Sequence, residues 1–148
     1  MKLKKCIEKT YCMYASEWHL AVMLLPFISK NLKEQNKVYM EFEESIEDKI
    51  NILLDKLEIQ NKNEVKGIKW NNAVSDEEYC DNDRIYIISG NKEYIDKMNE
   101  KIEKYYADKD DKIRLINCYE LSGNINQAGF IDESKYDKKL NTKGEISL

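Results

Sequence analysis

The chain has 148 residues, of which 42% are hydrophobic and 35% charged, against a usual charged share of about 25%. That length suits one globular domain with a genuine core and is too short for two comfortable ones. Its 28 acidic residues outnumber 24 basic ones for a formal charge of −4, and only Arg84 and Arg114 offer a guanidinium fork, which argues against a general nucleic-acid binder.

Residues 3–13 read as a first buried strand, with Tyr14-Ala15-Ser16 as its turn and Ser16 as the N-cap of a helix. Trp18, Ala21, Val22, Leu25, Phe27, Ile28 and Leu32 recur at helical spacing and predict that helix over 17–34. Pro26 in its middle removes one backbone hydrogen bond and predicts a kink. A second strand is predicted at 38–42. The next helix follows Ser45, with Asp48 three residues on in the manner of a capping box. Ile46, Ile50, Ile52, Leu53, Leu54 and Leu57 supply its buried stripe.

Residues 60–84 are the least orderly. Within them 65–70 alternates as a short edge strand, and 71–83 reads as a loop or lid. The clearest strand is 84–88, followed by the turn Ser89-Gly90-Asn91. A helix then presents Tyr94, Ile95, Met98, Ile102, Tyr105 and Tyr106 on one face, and 113–118 forms a further strand. Short apolar strands alternating with helices predict a single α/β domain over 1–131, with a mostly parallel sheet between two helical layers. Periodicity is lost after Gly123. Residues 128–131 are expected to dock, and 132–148 to form a flexible C-terminal tail.

In such sheets ligands bind outside the carboxyl ends of the strands. The turns at those ends carry Tyr14, Ser16, His19, Glu41, Ser89, Tyr119 and Glu120, which the topology is expected to deliver to one crevice. Tyrosines and a single imidazole suit an organic ligand better than a phosphate-rich one. The sequence contains no GxxxxGK[ST] loop, no GxGxxG, no GxSxG elbow and no HExxH. Ser89-Gly90-Asn91 offers backbone amides to one anion at most, and doubles as an ordinary helix cap.

His19 is the only histidine, so it serves either as an acid–base group at the rim or as a solvated side chain. Glu41 and Glu43 share one side of an extended chain, as a paired carboxylate or a solvated turn. Cys6, Cys12, Cys80 and Cys118 lack CxxC or zinc-like spacing and are expected to be free thiols. An enzyme using Cys12, with His19 as its base, or Cys118 is the remaining catalytic alternative. No metal, cofactor, nucleic-acid or membrane partner is expected. The most apolar stretch, 18–28, is shorter than the ~20 residues of a bilayer span. No apolar run of the secretory type follows Met1–Lys5, so a cytoplasmic location is expected.

Two segments carry a family resemblance. Cys12-Met13-Tyr14-Ala15-Ser16-Glu17, continuing through Leu24-Leu25-Pro26-Phe27-Ile28 to Lys37-Val38-Tyr39-Met40, is similar to the opening of MEDS domains, sensory domains of methanogens and methylotrophs. Asn117-Cys118-Tyr119-Glu120 resembles the end of a later strand in that family. The resemblance implies a RecA- or Rossmann-like fold related to KaiC-type ATPases but without a working phosphate loop. It also implies a stand-alone regulator that senses a small organic molecule and signals through a protein partner. The alternative is a non-catalytic interaction module, homodimeric in one version, with Trp18, Trp70 or Phe130 forming an exposed apolar patch.

Overall fold

A computed structural model describes residues 7–71, 81–121 and 131–148. Seven strands form one sheet in the order β3-β2-β4-β5-β1-β6-β7. They are β1 (Ile7–Tyr14), β2 (Lys37–Phe42), β3 (Lys69–Trp70), β4 (Arg84–Ser89), β5 (Ile113–Glu120), β6 (Lys138–Asn141) and β7 (Gly144–Ser147). Every neighbouring pair is parallel except the β6–β7 hairpin. The helices are α1 (Glu17–Lys33), α2 (Glu47–Lys56), α3 (Lys62–Lys66) and α4 (Lys92–Tyr105). The expected class, α/β with a mostly parallel sheet flanked by helices, is what the structure shows.

Alternation along the strands divides the core into two layers. Cys12, Tyr14, Val38, Met40, Phe42, Ile85, Ile87, Ile116 and Cys118 pack with α1 and α2 on one face. Tyr11, Tyr39, Tyr86, Ile88, Leu115 and Tyr119 pack with Ile95, Ile102 and Tyr106 on the α4 side. Strands covered on both faces have no room for a polar stripe, so the central ones read as continuous apolar runs. Ser16 caps α1 by accepting from the His19 N–H at 3.1 Å, and Asn91 caps α4 by accepting from the Tyr94 N–H at 2.7 Å. Pro26 lies on the exposed side of α1, which runs uninterrupted from Glu17 to Lys33.

Three expectations need correction. Ser45 does not cap α2 in the expected way; the N-cap is Ile46, and the Ser45 hydroxyl accepts from the Glu47 N–H instead, at 3.1 Å. Val65 belongs to the short helix α3 rather than to a strand, and only Lys69–Trp70 forms the edge strand. The flexible tail expected over 132–148 carries β6 and β7. β6 pairs parallel to β1, Leu140 is buried in the core, and Arg114 reaches Glu145 through two bonds of 2.8 and 2.9 Å. One core residue, backbone pairing with β1 and a long-range contact of Arg114 Nη2 with both Glu145 oxygens hold this hairpin, and none leaves a local periodicity. Leu3–Cys6 of the first expected strand, most of the lid at 71–83, and Ala128, Gly129 and Phe130 of the docking segment lie outside the described residues. Ile131 packs beside the tyrosine layer.

That layer makes the fold sensitive to alkali. Burial, assisted by the hydrogen-bonded Glu133 carboxylate, pushes the Tyr11 hydroxyl up to about 12. Burial also raises Tyr86, Tyr106 and Tyr119 in that layer, and Tyr14 on the opposite face. A tyrosine in the unfolded chain ionises near pH 10, so above that pH the folded state retains protons that the unfolded state has lost. The contribution of these tyrosines to stability is therefore present in full below about pH 10 and is lost as pH rises through about 12 for Tyr11. Tyrosinate absorbance is expected to appear together with loss of the circular-dichroism signal, and Tyr11→Phe to flatten the decline. Ionisation of the buried tyrosines while the fold persists would contradict this.

Candidate functional site

The connections leaving β2 and β4 diverge to opposite faces of the sheet, α2 on one and α4 on the other. Between two such neighbouring strands a crevice opens at the carboxyl ends. Here it has a volume of about 300 Å3. Phe42, Glu43, Glu44 and Ile46 form one wall after β2, and Ser89, Gly90, Asn91 and Lys92 the other after β4. Glu17 and Leu20 of α1, with Tyr14 and Glu120 at the ends of β1 and β5, complete it.

Of the seven residues expected to converge, Tyr14, Ser89 and Glu120 do so. Tyr14 and Glu120 are register partners, and the Tyr14 and Ser89 hydroxyls share a hydrogen bond of 3.2 Å. Burial raises the Tyr14 hydroxyl, so it stays protonated and available as a donor.

The other four lie elsewhere. Ser16 is an exposed helix cap, and His19 folds back so that its Nδ1 accepts from the Ala15 N–H at 2.9 Å. Glu41 is buried within β2 on the α4 side; together with Glu43 it raises the Tyr94 hydroxyl, after the larger effect of burial. Tyr119 also faces α4, bonded to the Tyr136 hydroxyl at 2.9 Å. For the two strand residues the deciding factor is parity: neighbouring residues of one strand point to opposite faces, so Tyr119 faces α4 while Glu120 lines the crevice.

The residue that defines the site is Glu43. Its Oε1 accepts from the Asn91 N–H at 2.9 Å, taking a backbone donor at the start of α4 that a phosphate would otherwise use. Gly90 makes room for it, since a Cβ there would lie 2.8 Å from Glu43 Oε1 and 2.7 Å from the Tyr94 ring. Glu17 pairs with Lys49 at 2.9 Å, and Lys92 with Asp96 at 2.9 Å. Four carboxylates against one ammonium leave the crevice acidic. The sequence offers Glu43 as one of a carboxylate pair, but its bond to Asn91 depends on the adjacency of β2 and β4.

The thiols are poorly placed for nucleophilic work. Cys12 and Cys118 are register partners, both fully buried. Interaction with Cys12 and burial together hold the Cys118 thiol well above its ordinary value, which disfavours the thiolate. The Cys12 thiol also donates to the Met23 sulfur, at 3.9 Å. Cys6 and Cys80 lie outside the described residues.

Among the described residues no group of three or more histidine, cysteine or acidic side chains is arranged to hold a metal ion. No helix among them is long and apolar enough to cross a membrane. Comparison with protein-family models, curated proteins and solved structures returned no match.

Proposed function

We propose that the chain is a ligand-binding domain of sensory type, taking a small organic molecule with a basic nitrogen in the crevice between β2 and β4 and signalling through a protein partner. The observation that carries this reading is the Glu43–Asn91 bond. With that amide taken by the chain's own carboxylate, the crevice favours positive charge, while the Tyr14–Ser89 hydroxyl pair supplies neutral hydrogen-bonding groups. A volume of about 300 Å3 fits a compact ligand. The MEDS resemblance is consistent with such a role and adds the expectation that occupancy is read by another protein.

Thermal denaturation tests this reading, using a panel of small aliphatic and aromatic amines matched with neutral alcohols, carboxylates and nucleotides. A ligand at a hundred times its Kd stabilises by about 2.7 kcal/mol, a shift of several degrees. At least one amine is expected to raise the Tm, with the shift lost in Tyr14→Phe or Glu120→Gln and kept in His19→Ala. Stabilisation by nucleotides, or by no amine at all, would overturn the reading.

A further inference from the structure

An apolar groove of about 690 Å3 runs along the outer side of α1 and α2, floored by Leu25 of the core. Val22 and Pro26 form one wall, and Leu53, Leu57 and Ile59 the other. Val22 is 51% exposed and Leu57 50%, while Trp18, one turn before Val22, is 45% exposed. Walls this open cannot enclose most of a small molecule, as a ligand pocket must. They suit a helix laid along the stripe, whose anchors Trp18, Val22 and Pro26 recur every four residues.

Charge selects the occupant. The amino ends of α1 and α2 lie together, since Lys49 pairs with Glu17 and sits 5.7 Å from the Trp18 ring centre. That end also carries Glu47 and Asp48. The opposite end carries Lys30, Lys33 and Lys56 against Glu34 and Glu58, while Asp55 there is taken up by Lys62 and Lys66. Among the described residues neither Lys30 nor Lys33 has an ion-pair partner. Counted this way, the stripe is acidic at one end and basic at the other, about 24 Å apart at 1.5 Å per residue. A two-fold axis across α1 brings each end onto its opposite in a second copy, which is the self-complementarity an isologous interface requires.

We propose that this face is the interface of a homodimer in which α1 packs antiparallel to α1 of a second copy. The proposal is independent of what the crevice binds.

Sedimentation equilibrium of the full chain, from low micromolar to several hundred micromolar, is expected to show a monomer–dimer equilibrium. Val22→Glu should weaken it at least about tenfold, the equivalent of 1.4 kcal/mol. Lys30→Glu/Lys33→Glu and Glu47→Lys/Asp48→Lys should each be monomeric alone, yet form a heterodimer when mixed, with unchanged circular dichroism. A wild-type chain that stays monomeric throughout overturns the proposal and leaves the groove to a different protein. Dimers indifferent to Val22→Glu, or charge-reversed chains that fail to pair on mixing, overturn it as well.

Discussion

Replacing Asn117 with leucine is expected to destabilise the fold by about 2 to 3 kcal/mol, read from urea denaturation. Asn117 is buried in β5 on the α4 side, where it and Asn99 exchange hydrogen bonds of 2.8 and 3.0 Å. Its amide also donates to the Tyr136 hydroxyl at 3.0 Å, which in turn meets Tyr119. One side chain thus ties the helix α4, the sheet and the C-terminal segment together. Leucine keeps the volume but leaves the Asn99 carbonyl without this donor in a buried position, and such an orphan costs about 1–3 kcal/mol. The double variant Asn99→Leu/Asn117→Leu removes both polar groups and should recover much of the loss. Strictly additive effects in the double-mutant cycle would show that the two amides are not coupled.

Gly90→Ala is expected to cost about 1–3 kcal/mol by overpacking and, at the same time, to reshape the crevice. The added Cβ would meet the Tyr94 ring at 2.7 Å, Glu43 Oε1 at 2.8 Å and Glu43 Cβ at 2.9 Å. Only the carboxylate end can swing away freely, and doing so breaks its bond to the Asn91 N–H. The combination Gly90→Ala/Glu43→Gly clears both Glu43 contacts and should restore part of the lost stability. If Gly90→Ala alone melts with the parent protein, the close packing of Glu43 on this turn is wrong.

The sheet was legible because its central strands are short apolar runs between turns, and burial on both faces demands such runs. Lys37–Phe42, Arg84–Ser89 and Ile113–Glu120 stand where those runs predict, within a residue or two. The hairpin was not legible, because Lys138–Asn141 offers one apolar side chain to the core and relies on backbone pairing with β1. The crevice was legible as a location but only partly as a set of residues. Chain order identifies which turns lie at strand ends, and it places Tyr14, Ser89 and Glu120. It does not reveal which strands are neighbours, and Glu43 meets Asn91 only because β2 and β4 adjoin. His19 and Tyr119 fall outside the crevice for a different reason: chain order does not give side-chain direction, and His19 folds back onto the Ala15 N–H while Tyr119 faces α4.

The first strand waits longest for its companions. β1 lies between β5 and β6, and its bonds to Asp137 span 128 positions of sequence. Contacts that distant raise contact order and slow folding. A nascent chain can build the β2–β4 pairing while β1, whose second half Tyr11–Tyr14 is apolar on both faces, has both edges bare. An interior strand of the sheet is thus among the last to be sealed, and a chaperone that shields residues 7–14 during synthesis would act on a segment exposed to aggregation.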